Sequence, residues 1–229
     1  MYVTRKLLRY AAVPAALLLA YPAQAQTRDH APVSLQSARQ MAQDAPGSES
    51  WTYAQPIGVF HKYRSLIVDP TTVYQGPDAQ FEGIDYADRS KFAAIITQEM
   101  RSELAKSFPA PARPQADTMR MKITMLGAQR TRGGLATATR VTPLGFATSA
   151  LKSALGKKGT LTGSVLYAVE LYDARTNELL LAAVRRRTPD PLDVPATLST
   201  TDTVKAVARE FADGARKRLE DLTGVGHRQ

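Results

Sequence analysis

The sequence predicts an α+β domain with one mainly antiparallel sheet of about four strands and two main helices on one face. Apolar residues alternate with polar ones over 119–127 and 161–172, a pattern typical of strands. Apolar residues recur at helical spacing over 85–108 and 204–222. The predicted order is β-α-β-(short α)-β-β-α, which places two helices against a single sheet.

The first 25 residues have the composition of a secretory signal peptide. Arg5, Lys6 and Arg9 lie before or within an apolar run from Leu7 to Ala20, and this region contains no acidic residue. The small residues Ala23 and Ala25 follow the run. As a helix this run spans about 21 Å, less than the ~30 Å hydrocarbon core of a bilayer. We therefore expect cleavage between Ala25 and Gln26, with no stable membrane anchor afterwards. The expected location is the periplasm or, alternatively, the outside of the cell.

Charge and cysteine content restrict the class of protein further. The leader contributes three positive charges to the net charge of +9. The mature chain of 204 residues therefore carries a net charge of +6. This excess favours an anionic polymer as partner, but the basic residues lack the aromatic platform expected of a nucleic-acid-binding protein. The chain has no cysteine, so it has no disulfide, no thiolate nucleophile and no lipid-acceptor cysteine.

The N-terminal half is predicted to contain one strand and one long helix. Residues 26–50 are rich in Gln, Ser, Ala and Pro and are predicted to be a flexible lead-in, in which any short helix over 33–42 would be broken by residues 44–48. A single domain is predicted over 51–224. The first strand is expected over 63–68. The helix over 85–108 is expected to begin near Asp85 and to end before the proline-rich residues 109–111.

The C-terminal half is predicted to be a hairpin followed by the last helix. On the strand over 119–127, one face presents Met119, Met121, Ile123 and Met125. Strands over 161–172 and 179–186 are joined by a turn in which Asn177 tolerates a positive φ. Arg185, Arg186 and Arg187 are expected to form a solvated strand edge. The last helix is expected to be capped by the run Ser199-Thr200-Thr201-Asp202 and to end at Gly224, before a tail over 225–229.

A segment over 143–158 is the candidate interaction surface. In this segment, small residues lie beside larger apolar residues and lysines. The larger apolar residues and the lysines are the candidate surface residues: Leu144, Phe146, Leu151, Lys152, Leu155, Lys157 and Lys158. The segment could contact a membrane surface or a partner helix. Alternatively, it is a short helix packed over the sheet, where its small residues permit close approach.

No motif in the sequence predicts catalysis, a cofactor or a metal site. A triad drawn from Ser65, His61 and Asp69 lacks the surroundings of a nucleophile elbow. The three histidines show no metal-ligand spacing. Carboxylates at Asp69, Glu170 and Asp173 lie near strand ends, where functional sites often collect.

Several pieces of the chain together resemble the bacterial family called domain of unknown function 3313. They include Trp51-x-Tyr53, the run from Tyr63 to Pro70, Pro143-x-Gly145, the run from Glu170 to Leu180, and Phe211-Ala212. The resemblance covers roughly residues 51–222. It implies an exported protein of a Gram-negative envelope, often lipid-anchored, with no established activity. This chain departs from that pattern because it lacks the cysteine that would carry the lipid.

These observations predict an exported, non-enzymatic accessory protein that binds a partner protein or an envelope polymer. The alternative is a hydrolase of an envelope polymer that uses carboxylates such as Asp69, Glu170 and Asp173.

Overall fold

The computed structural model describes residues 31–32, 34–129, 164–188 and 199–227. The predicted leader, its cleavage site at Ala25 and the candidate surface over 143–158 lie outside the described residues. The described strands and helices are β1 (Ala42–Gln43), β2 (Trp51–Ala54), β3 (Ser65–Val68), β4 (Thr72–Val73), β5 (Gln80–Glu82), α1 (Tyr86–Leu104), β6 (Thr118–Gln129), β7 (Ser164–Asp173), β8 (Leu179–Arg187) and α2 (Thr200–Thr223), with short 3-10 helices at Ile57–Lys62 and Val225–His227.

The eight described strands form one mixed sheet in the order β1-β2-β8-β7-β6-β3. The long strands β6, β7 and β8 are antiparallel neighbours, and the predicted hairpin is confirmed as β7–β8. Strands β3, β4 and β5 follow one another along β6 and run parallel to it. This direction follows from α1, which is the crossover between these three strands and β6.

The α+β class and the two main helices are confirmed, whereas the prediction of four mainly antiparallel strands differs from the structure. Strands β1, β4 and β5 have only two or three residues, which is too short to show an alternating pattern. The parallel pairing of β3 with β6 brings Leu66 beside Met119, although the two residues are far apart in the sequence. A strand-helix-strand order favours a parallel pair of strands. The sheet predicted from the sequence was mainly antiparallel and did not include this pair.

Both helices pack on one face of the sheet, as predicted. Helix α1 is capped by Asp85, which accepts a hydrogen bond from Asp88 N at 2.8 Å. Helix α2 is capped by Ser199 and ends at Gly224, where φ is +71°. A single core joins the helix stripes to the sheet; its members include Phe92, Ile96, Met100, Val204, Val207, Met119, Met121, Ile123, Val165, Val169 and Leu171.

The opposite face of the sheet is covered by residues 34–41, called here the N-terminal strap. Leu35 is buried with Trp51, Leu166 and Val184, and Met41 packs against the same cluster. The predicted flexible lead-in over 26–50 therefore differs from the structure, in which packed chain begins well before Trp51. The apolar residues Leu35, Ala38 and Met41 recur every three residues, but the chain there forms consecutive turns rather than the regular helix that such spacing favours.

Candidate functional site

Glu170 lies at the centre of the strap-covered face. Strand β7 is flanked by β6 and β8, so the neighbours of Glu170 across the sheet are Lys122 and Ala182. Strand alternation directs Val169 and Leu171 into the helix-side core and Glu170 to the other side. Only 6% of the Glu170 surface is exposed, which is unusual for a glutamate and requires hydrogen-bonding partners.

Two groups satisfy the Glu170 carboxylate. Its Oε1 atom accepts hydrogen bonds from the backbone N of Ser37 and from the Tyr172 hydroxyl, each at 3.1 Å. Burial, together with the nearby carboxylate, raises the pKa of Tyr172 well above its ordinary value, so the phenol stays protonated as a donor. The Lys122 ammonium lies 4.5 Å from the centre of the Tyr172 ring. A cation, an aromatic ring and a carboxylate therefore lie next to one another on this face.

Tyr74 holds the strap at a second point. Its hydroxyl accepts a hydrogen bond from Ser34 N at 3.0 Å and donates one to Asp78 Oδ1 at 2.6 Å. Burial and the bond to Asp78 raise the pKa of Tyr74, which keeps the hydroxyl a donor. Gly76 makes room for the ring, because an added Cβ there would be 2.2 Å from it. The turn at 76–78 thus positions the tyrosine that holds the strap.

A polar cleft of about 570 Å³ opens between the strap, the β4 region and Glu170. Its hydrogen-bonding side chains are mostly uncharged and include Gln36, Thr72, Gln75 and Thr124. Thr72 Oγ1 and Thr124 Oγ1 lie 3.2 Å apart across the β4–β6 pair. The cleft therefore offers amide and hydroxyl groups around a single carboxylate, which suits a ligand rich in hydroxyl groups.

The structure does not bring together the three carboxylates considered from the sequence. Asp173 closes the hairpin turn, where it accepts bonds from Arg175 N at 2.9 Å and Thr176 N at 3.0 Å. It also accepts a bond from the Tyr63 hydroxyl at 2.9 Å. Although burial opposes ionisation, these bonds hold the pKa of Asp173 well below its usual range. Asp173 and Glu170 are three residues apart on one strand, so they project to opposite faces.

The remaining candidates also have structural partners. Asp69 faces Arg120, with 3.7 Å between Oδ1 and Nε. Ser65 Oγ shares a hydrogen bond of 2.8 Å with Thr118 Oγ1, while His61 is exposed in the 3-10 helix before β3. Within the described ranges, no cluster of three acidic or histidine side chains could hold a metal ion. In those same ranges, no helix is long and apolar enough to cross a membrane.

From the sequence, Glu170 was one of three carboxylates expected near strand ends, whereas the structure places it within β7. Glu170 is an acidic residue inside an apolar strand, and its position in the alternation separates it from Val169 and Leu171. The strap residues that complete the cleft gave no comparable signal, because their contacts with β7 are made across more than a hundred residues.

The described residues thus form an α+β domain with a helix-covered face and a polar cleft on the other face. The chain belongs to the DUF3313 family, described as a protein of unknown function, whose model matches residues 33–215. This match confirms the family resemblance found in the sequence. No curated protein matches the chain.

Three solved structures illustrate what the chain is similar to. A PelC dodecamer from Paraburkholderia phytofirmans is 13% identical and has a TM-score of 0.39, with 74% of this chain and 95% of that chain covered. A DUF330 protein from Xanthomonas campestris is 8% identical, with coverages of 71% and 89% and a TM-score of 0.38. A DUF4136 family protein from Bacteroides thetaiotaomicron is 10% identical, with coverages of 76% and 96% and a TM-score of 0.34.

Proposed function

We propose that this protein is an exported, non-enzymatic binding protein of the bacterial envelope that holds a hydroxyl-rich polymer, such as a glycan strand, in the cleft beside Glu170. The observation that carries the proposal is the cleft lining, in which amide and hydroxyl side chains surround one carboxylate. Sugar hydroxyl groups both donate and accept hydrogen bonds, so they complement all three types of side chain.

The charge of the cleft favours a neutral polymer over an anionic one. The cleft is lined by Glu170, and its described lining includes no lysine or arginine. An anionic chain would bring like charge next to this carboxylate, and Lys122, the neighbour of Glu170 across the sheet, lies against the Tyr172 ring and is not among the described lining residues. The anionic partner expected from the net charge would therefore need a different surface of the molecule.

Export of the chain is supported by its leader and is compatible with the fold. Cleavage after Ala25 would keep every lining residue of the cleft, the first of which is Ser34. Ala31 is 8% exposed and packs with Leu35 in the strap-side cluster. A mature chain that begins at Gln26 keeps the complete cleft, and the periplasm is the location we propose for it, with release to the outside as the alternative.

The arrangement of carboxylates supports binding over hydrolysis. Glycoside hydrolysis uses two carboxyl groups that flank the scissile bond. Asp173 is held in the hairpin turn on the other face, and Asp69 lies beside Arg120. Neither is among the residues that line the cleft with Glu170.

Calorimetric titration of the mature chain with soluble N-acetylglucosamine oligomers tests the proposal. We expect binding that strengthens with oligomer length and weakens about tenfold in Gln36→Ala and in Thr124→Ala, since each removes a hydrogen-bonding group. Gln98→Ala, on the exposed side of α1, is the matched control and should bind normally.

Two results would contradict this function. If no oligomer binds, or if Gln98→Ala weakens binding as much as Gln36→Ala does, the cleft is not the glycan site. If the oligomers are cleaved during titration and Glu170→Gln stops the cleavage, the non-enzymatic assignment is wrong.

A further inference from the structure

A second concave surface lies on the helix-covered side, where α2 leaves part of β7 and β8 uncovered. It is a groove of about 400 Å³. Its apolar lining includes Tyr167, Leu181, Ala183, Phe211, Ala215 and Leu219. The rings of Tyr167 and Phe211 stack with 4.0 Å between their centres, which fixes one wall of the groove. The groove therefore offers a firm apolar channel between a helix and a sheet.

The rim of this groove is cationic. Arg185, Arg187 and Arg218 line it together with one acidic residue, Glu210. Arg185 is held by Asp44, with 3.0 Å between Nη2 and Oδ2. Arg187 and Arg218 are exposed, and Arg187 interacts with the hydroxyl of Tyr167 in the wall of the groove. Two guanidinium groups are thus available beside an apolar channel.

Gly214 is the glycine among the residues that line the groove. It lies in the middle of α2, where glycine costs about 1 kcal/mol relative to alanine. An added Cβ at Gly214 would meet no atom within 4 Å, so contacts among the described residues do not require glycine there. Gly214 also lines the groove beside Ala215, so a side chain at this position would narrow it.

We propose that this groove binds a long-chain fatty acid, with the acyl chain along the apolar lining and the carboxylate at Arg187 and Arg218. The charge pattern selects this occupant, because a guanidinium group pairs well with a carboxylate while the channel takes the hydrocarbon. Residues 130–163 contain six basic residues and no acidic one, so the cationic rim would repel that segment of the chain.

Displacement of a fluorescent dansyl-labelled undecanoic acid from the full mature chain tests the proposal. We expect dodecanoate to displace the probe at least tenfold more effectively than dodecylamine, since only the carboxylate complements the rim. Arg218→Ala and Arg187→Ala should each weaken dodecanoate binding about tenfold. Arg113→Ala, at an exposed position outside the groove, is the matched control.

Gly214→Leu provides a second variant that acts through shape rather than charge. It should abolish probe binding and leave the thermal midpoint within a few degrees, because the added side chain points into open space. Gln36→Ala, in the polar cleft, should bind the probe normally, which keeps this site separate from the proposed glycan site.

Three outcomes would overturn the proposal. Displacement by dodecylamine as effective as by dodecanoate would show that the arginines do not select the ligand. Normal probe binding by Gly214→Leu would locate the ligand elsewhere. Failure of the wild-type chain to bind the probe would show that the groove accepts no fatty acid, as expected if residues 189–198 or a partner helix fill it.

Discussion

The backbone N–H of Ser37 donates a hydrogen bond of 3.1 Å to the Glu170 carboxylate, and the two residues are 133 positions apart in the chain. This hydrogen bond joins the N-terminal strap to the central part of the sheet, alongside the apolar contacts of Leu35. It also places a carboxylate in the polar cleft while part of that group remains hydrogen-bonded. Stability and the proposed ligand binding therefore share one side chain.

Removal of the Glu170 carboxylate should be costly for stability. Glu170→Ala leaves the Ser37 N–H and the Tyr172 hydroxyl buried without this acceptor. We expect the free energy of unfolding to fall by about 2–4 kcal/mol, as measured by urea denaturation. Glu178→Ala, at an exposed position, should change it by less than about 0.5 kcal/mol. Equal stability of the two variants would show that the strap contact contributes nothing.

Asp173 should make stability depend on pH in the acidic range. Its folded-state pKa is lowered, so its contribution is complete above the unfolded value of about 3.9 and is lost as the pH falls below it. Asp173→Asn should therefore be less stable than the wild type near neutral pH, with the difference shrinking as the pH falls below about 4.

Urea midpoints of the two proteins across this pH range make the comparison. The other carboxylates titrate in both chains and cancel in the difference. A stability difference that stayed constant with pH would show that the ionised form of Asp173 is not favoured by folding.

Gly127 should tolerate no side chain. It lies at the irregularity in the β6–β7 register, and an added Cβ would be 2.4 Å from the backbone oxygen of Gln80. Gly127→Ala should displace β5 from β6 and cost about 1–3 kcal/mol. Gly58→Ala is the matched control because nothing lies within 4 Å of its added Cβ. Thermal melts that show the same small shift for both variants would contradict the close β5–β6 approach.

Phe211 and Phe92 should differ in their contribution to stability. Phe92 is 1% exposed in the core, so Phe92→Ala should cost about 3–5 kcal/mol. Phe211 is half-buried, stacks on Tyr167 and borders an open groove, so Phe211→Ala should leave no closed cavity and cost about 2 kcal/mol. Denaturation of both variants measures how much free energy of unfolding each one loses. A larger loss for Phe211→Ala than for Phe92→Ala would mean that the groove is closed in solution.

The parts of the fold that repeat a local pattern were predictable from sequence. The apolar stripe of α1 and the Ser199 cap of α2 depend on neighbours within a few residues, and both are confirmed. Asn177, at φ +59° in the hairpin turn, also follows from local chemistry. These features need no knowledge of distant contacts.

The parts of the fold that depend on distant partners were not predictable. The strap forms turns rather than a regular helix or strand, and it is ordered by Tyr74 and Glu170. Arg185 and Arg186 were expected to form a solvated edge, but they pair with Asp44 and Glu49, which lie far away in the sequence. The cleft combines both kinds of feature: Glu170 could be singled out on its strand, whereas the residues that surround it could not.

The strap has a consequence for the order in which the molecule assembles. Synthesis proceeds from the N-terminus, so the strap emerges long before β7 supplies the carboxylate that it contacts. Until then its backbone groups can bond only to water or to other nearby chain. Contacts of such long sequence separation form slowly. Closure of the polar cleft is therefore expected to be a late event in folding, after the β7–β8 hairpin has formed.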